Sequence, residues 1–226
     1  MKAIEKDIFD KRIESHLRWI LDKKDGMVAD FSSSRIDGME LKGIDLRGMY
    51  CEETLFINSH LNGIIMTDAI LYDSNFDCTK FHNVIMLNLD CYKTTFKYSK
   101  FYSCVLIDSI FGETDFSNSV LENIRMNRII CHENVKFVNS DLNGSIMSDS
   151  KLCGVDFTGA NLEYVDFSNS DLSDANLTRA RLKNANFSNS NLSGANLTGV
   201  NLKNTNLRNV KLNNTILPSF TEEEQR

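Results

Sequence analysis

The sequence predicts an all-β solenoid of short coils with a helical cap at its N-terminus, and three observations carry that expectation. From Asp156 to Leu212 an apolar centre recurs every five residues, in units such as DFTGA, NLEYV, NLSGA and NLTGV. A period of five matches neither the 3.6 of an amphipathic helix nor the 2.0 of a half-buried strand, which leaves a coiled repeat. Residues of one kind also recur every 20 positions, as at Phe56, Phe76, Phe96 and Phe116, so four units close one coil. Finally, one Pro and eleven Gly in 226 residues, with no Pro- or Ser-rich spacer, leave no place for an interdomain linker.

The first element is a helix over residues 4 to 22. Ile4, Ile8, Phe9, Ile13, Leu17 and Ile20 or Leu21 recur at spacings of three and four, and Asp25-Gly26 stops the run. Such a helix needs an apolar surface, and the open first coil of a solenoid supplies one. Residues 1–28 are therefore read as a cap, 29–217 as the solenoid and 218–226 as a tail. Trp19, the only Trp, is assigned to the packing of that cap rather than to a ligand.

The five-residue register begins at Phe31 and runs through Leu46, Phe56, Met66, Leu71, Phe81, Cys91, Phe101 and Phe111 to Cys131. One residue is then inserted near Asn134, which implies a bulge at one corner. The register resumes at Phe137 and ends at Leu217. Two residues before each centre stands a small or β-branched residue, such as Ala175, Ala185 or Ser190, so large and small side chains alternate inward and fill a narrow core. The other three positions hold mostly Asn, Ser, Thr, Gly, Lys and Asp, the residues of turns and wet rims. Thirty-eight centres give nine to ten coils. At about 4.8 Å per coil the rod is on the order of 45 Å long. Leu217-Pro218-Ser219-Phe220 is expected to end the last coil, with Phe220 folded over the open core.

The units SGANL, TGVNL and TGANL resemble the A(D/N)LXX consensus of pentapeptide-repeat proteins, and the resemblance covers roughly residues 29 to 217. It implies a right-handed quadrilateral β-helix, with the centre and the residue two before it pointing inward. Cys51, Cys91 and Cys131 depart from the family's Leu or Phe and should thin the core on one side. Some family members that protect DNA gyrase are acidic rods thought to imitate duplex DNA, which makes a topoisomerase an alternative partner.

Charge and cysteine content narrow the function classes. The N-terminus, MKAIEKDIFDKRIESHL, has no apolar run long enough for a signal peptide or membrane span, and the protein is expected in the cytoplasm, without membrane contact. Six Cys without a CxxC pair look like reduced thiols rather than a disulfide framework or zinc site. The net charge of −6 is unevenly spread: residues 137–174 carry seven acids and one base, whereas 175–220 carry six bases and no acid. Arg181, Lys183 and Lys203 share one face, but no aromatic residues interleave with them, so direct nucleic-acid binding is not expected.

No catalytic constellation is present in the sequence, and no enzyme activity, cofactor or metal is expected. There is no Gly-rich phosphate loop, HExxH or GxSxG, and the four His show no ligand spacing. His60 and His82 share a face but have no carboxylate or Cys to complete a site. Cys131 faces inward and His132 outward, so they do not form a nucleophile and base.

The outward positions are more informative. On one face the register places Ile65, Ile85, Leu87, Val105, Ile107 and Ile146, and on the next Ile70, Tyr72, Tyr92, Ile110 and Ile130. The other two faces are mainly polar. Apolar residues on two adjacent sides of consecutive coils are expected to form an interface with a protein partner or a second copy of the chain. The alternative mimicry surface comprises Asp156, Glu163, Asp166, Asp171 and Asp174.

Overall fold

The computed structural model of the chain describes residues 1–218. Its elements are β1 (Lys2–Ala3), α1 (Lys6–Ile20), β2 (Ser34–Arg35), β3 (Glu40–Lys42), β4 (His60–Asn62), β5 (Lys80–His82), β6 (Lys100–Tyr102), β7 (Ile110–Phe111) and β8 (Ile130–Cys131). All strand pairing is parallel, and most of it is by single residues one coil apart. One ladder passes through Asp30, Tyr50, Ile70, Asp90, Ile110, Ile130, Lys151, Asp171, Asn191 and Lys211. The fold is thus a four-sided β-solenoid with one short helix.

The expected centres are the core. Phe31, Leu46, Phe56, Met66, Phe96, Phe116, Leu142 and Phe187 are all fully buried. Phe76, Phe96, Phe116 and Phe137 form a continuous stack, with successive ring centroids 5.3, 4.8 and 4.8 Å apart. Cys51, Cys91 and Cys131 point inward as expected, and burial pushes all three thiols up.

Two features of each unit go beyond the sequence reading. The residue two after each centre, or three after at the bulge following Cys131, takes a positive φ, from Ser33 at 55° to Asn214 at 57°, and so turns the chain at the corners. Gly, Asn and Asp tolerate this left-handed region best, which explains the Asn-rich rim. Tyr98 is exposed and has a φ of 58° without that tolerance. Tyr98→Asn is accordingly expected to stabilise the protein by about 0.5–1 kcal/mol in chemical denaturation.

The second feature is a system of buried hydroxyls. At many of the positions where the small inward residue is Ser or Thr, its hydroxyl donates to the carbonyl of a centre in the coil below, as Thr79 does to Phe56 at 2.7 Å and Ser99 to Phe76 at 2.7 Å, whereas Ser119 and Ser140 donate to the centre of their own unit. The same oxygen also accepts the Thr79 backbone N–H at 3.2 Å when it belongs to Ser99. A buried hydroxyl is stable only with such partners, so these positions are hydrogen-bonding elements as well as small ones.

The inserted residue is absorbed within one corner. Pairing runs at an offset of 20 for Thr95↔Asp115, becomes 21 for Asp115↔Lys136, and returns to 20 at Lys136↔Asp156. The widened turn at Glu133–Asn134 keeps its left-handed residue at Asn134, and the Glu133 carbonyl still accepts the Glu113 N–H at 2.7 Å.

The cap differs from the expectation in its packing face. Phe9 and His16 are the buried residues of α1, with Ile13 packed against the core, while Ile8, Leu17 and Leu21 are exposed. The inward stripe is therefore 9, 13 and 16, and Phe9 covers the first coil by stacking on Phe31 at 5.0 Å. Trp19 is half exposed and lies against His16, their ring centroids 5.4 Å apart. Before the helix, β1 pairs with β2 and adds a rung beneath the first coil, satisfying an edge that would otherwise be open. At the other end the inward Leu212 and Leu217 are 39% and 53% exposed. The expected cover by Phe220 lies outside the described residues.

Candidate protein-binding surface

The two apolar faces are built by adjacent ladders. One runs Asp45, Ile65, Ile85, Val105, Arg125, Ile146, Asp166; the other contains Tyr50, Ile70, Asp90, Ile110 and Ile130. β-Branched residues suit these positions because each packs against the residue directly above and below it. Ile85, Ile110 and Ile146 stand out most, at 40%, 38% and 38% exposure, and Tyr50, which the sequence reading omitted, is comparable at 39%. Ile65, Ile70, Leu87, Tyr92, Val105 and Ile130 are half-buried.

Ile107 departs from the expectation. It is only 8% exposed, an outward residue closed over by its neighbours and outside the continuous core, and so offers little to a partner. Charges also interrupt both ladders, at Arg125 and at Asp90, so the apolar surface is stepped rather than unbroken.

Tyr72 and Tyr92 stack with centroids 5.6 Å apart, and the Lys93 ammonium lies 5.9 and 5.6 Å from their rings. The Tyr92 hydroxyl donates to Glu113 Oε1 at 2.6 Å, a bond that raises the phenol's pKa. This orientation requires Gly112: a Cβ there would stand 2.3 Å from Tyr92 Cδ2. Above the tyrosines, beside the bulge, a cavity of about 630 Å³ is lined by Tyr92, Cys131, His132, Glu133, Asn134, Cys153 and Gly154.

With this geometry, the sequence profile of pentapeptide repeats matches the chain in eight copies, over residues 50–86, 136–174 and 175–214, just over half its length. The chain belongs to the pentapeptide-repeat family. No curated protein matches it. Solved structures of similar pentapeptide-repeat proteins include HetL, involved in heterocyst differentiation regulation in the cyanobacterium Nostoc sp. Strain PCC 7120. HetL is 18% identical over 91% of this chain and 96% of its own, with a TM-score of 0.38. A trypsin-treated form of QnrB1, a plasmid-mediated fluoroquinolone resistance protein, is 19% identical over 84% and 85%, with a TM-score of 0.40. A pentapeptide-repeat protein from the Arabidopsis thaliana thylakoid lumen is 29% identical over 43% and 64%, with a TM-score of 0.28.

The acids of this pentapeptide-repeat rod fall on all four sides. Asp166 and Asp171 lie on the two apolar-bearing faces, Asp156 on a third, Glu163 on the fourth and Asp174 at a corner. Most are engaged locally. Asp171 accepts from the Ser173 N–H and from Asn191, each at 3.0 Å, while Asp156 accepts the Thr158 N–H at 2.9 Å and Glu163 accepts from Arg181 at 2.8 Å. A single outward acidic stripe is not formed by these five residues.

The structure brings His60 and His82 together, ring centroids 5.0 Å apart, with Tyr102 a further 4.5 Å beyond His82. Burial, then His60 and Lys80, lower the His82 pKa. Among the described residues no three His, Cys, Asp or Glu converge as a metal would require. Of the remaining cysteines, Cys78 and Cys153 are exposed, and Cys104 is buried with its thiol pushed up to about 11 by desolvation. Among the described residues no helix is long and apolar enough to cross a membrane.

Proposed function

We propose that the chain is a non-catalytic assembly module whose stepped apolar surface, from about Tyr50 to Ile146, buries against a second copy of itself or another protein. The observation that carries this reading is the half-exposed Ile85, Ile110, Ile146, Tyr50 and Tyr72 on adjacent faces of consecutive coils. Exposed apolar clusters of this kind are uncommon on monomers and favour an interface. The solenoid supports it by holding the side chains on a rigid ladder, which limits the ordering cost of association.

Sedimentation velocity tests the self-association arm. The wild-type chain is expected above its monomer mass of 25.7 kDa. Ile85→Lys with Ile110→Lys should return it to that mass, without loss of circular dichroism, because both side chains are outside the core. A wild-type monomer that captures no protein through these residues contradicts the proposal.

A second reading, charge mimicry directed at a DNA topoisomerase, draws on the seven acids against one base in residues 137–174. The scatter of those acids over several faces gives it less support. A gyrase supercoiling assay with and without fluoroquinolone tests it, and no effect at a large excess of the protein removes it.

A further inference from the structure

The polar face that begins at Glu40 and His60 continues through Lys80, Lys100, Val120, Asp141 and Asn161 to Arg181. Near its C-terminal end the surface is concave. A groove of about 510 Å³ is lined there by Arg179, Arg181, Lys183 and Lys203 together with Glu163 and Asn201. Four cations therefore face one carboxylate, in a stretch of chain that carries no acid between residues 175 and 220.

One of the cations is held in place by an ion pair. Arg181 donates from Nε and Nη2 to Glu163 Oε1, at 3.1 and 2.8 Å, which fixes its guanidinium. Arg179 lies over Gly199, whose φ is 72°: a Cβ at that glycine would come within 3.3 Å of Arg179 Cγ. Lys183 and Lys203 occupy equivalent positions of successive coils. Among the described residues, Arg179, Lys183 and Lys203 form no ion pair.

Like charges gathered in a concavity reinforce one another's potential and attract a compact anion. Arg supplies forked donors that match oxyanion geometry, and Lys adds mobile point charges. The groove has no aromatic lining on which bases could stack, which argues against single-stranded nucleic acid. We propose that this groove is a binding site for a small, multiply charged oxyanion of the phosphate class.

Isothermal titration calorimetry of the full chain with inorganic tripolyphosphate tests the site. Saturable binding is expected, weakened at least about tenfold by Lys183→Ala with Lys203→Ala, since two charge-assisted contacts are lost. Arg208→Ala with Lys211→Ala removes the same charge from other faces and should change the affinity by less than about twofold. Absence of saturable heat at millimolar ligand overturns the proposal. Equal weakening by the two double variants also overturns it, because the attraction would then belong to the whole basic end. The apolar variants Ile85→Lys and Ile110→Lys are expected to leave tripolyphosphate binding intact, so this site and the assembly surface can fail independently.

Discussion

Phe96→Ala is expected to cost about 3–5 kcal/mol, more than any surface substitution. Phe96 is fully buried and sits in the middle of the phenylalanine stack, 5.3 Å from Phe76 and 4.8 Å from Phe116. It also meets Phe81 and Phe101 edge-on, at 6.0 and 5.7 Å, so removing its ring opens a void against four others. The hydrogen-bonded coils hold those neighbours at fixed spacing, and the void cannot close by simple collapse. Asn191→Ala provides the scale. Asn191 donates to Asp171 at 3.0 Å and accepts the Ser193 N–H at 3.1 Å on the rim, and its loss should cost about 0.5–1.5 kcal/mol. Denaturant midpoints for the two variants decide the matter: a Phe96→Ala loss no larger than that of Asn191→Ala would show that the inward register is wrong.

Acid is expected to loosen the helical cap before it affects the solenoid. His16 is fully buried, and its Nδ1 accepts the Ala29 N–H at 3.1 Å, a bond that exists only while that nitrogen is unprotonated. Burial lowers its pKa below the free value of 6.5; the Arg47 charge acts in the same direction, and Asp45 opposes it. The undocked helix therefore binds a proton more readily than the docked one. The contribution of His16 is fully present above pH 6.5 and is lost as pH falls below that value toward the depressed pKa, by up to about 1.4 kcal/mol per unit. Trp19 stacks on His16 and is the only tryptophan, so its emission reports the event. A change below pH 6.5 that His16→Gln removes is the expected result. Emission that stays flat through the imidazole range while the fold persists would exclude this coupling.

The register was legible because a large side chain every fifth position leaves one regular solution, and every centre from Phe31 to Leu197 is buried accordingly. Conformation at the corners was harder to see. The excess of Asn and Gly pointed to turns, yet Cys78, Tyr98, Arg128 and Tyr164 adopt the same positive φ, so the repeat imposes it on residues that do not prefer it. Helix α1 misled for a related reason. Its apolar residues exceed its contact area, and the choice of Phe9 and His16 over Ile8 and Leu17 depends on docking, which spacing alone does not determine. Ile107 shows the converse, an outward position closed by its neighbours in the column. In the basic groove, Arg181, Lys183 and Lys203 were visible as one face, whereas the contribution of Arg179 and the engagement of Glu163 required the corner geometry.

The bulge at Glu133–Asn134 shows that this chain tolerates a change in residue number where it does not change the count of sides. One extra residue lengthens a corner and leaves every later side chain pointing as before. Removal of one complete five-residue unit would do the opposite: each remaining coil could still close, but everything downstream would be turned a quarter of the way round the axis. The oxyanion groove would then move back onto the side of Asn75, Thr95 and Asp115, whereas insertion of one unit would carry it forward onto the side of Ile65, Ile85 and Val105. Whole coils can in principle be gained or lost without such rotation, so the relative bearing of two surfaces on this rod is set by arithmetic in the chain, and length and orientation can vary separately.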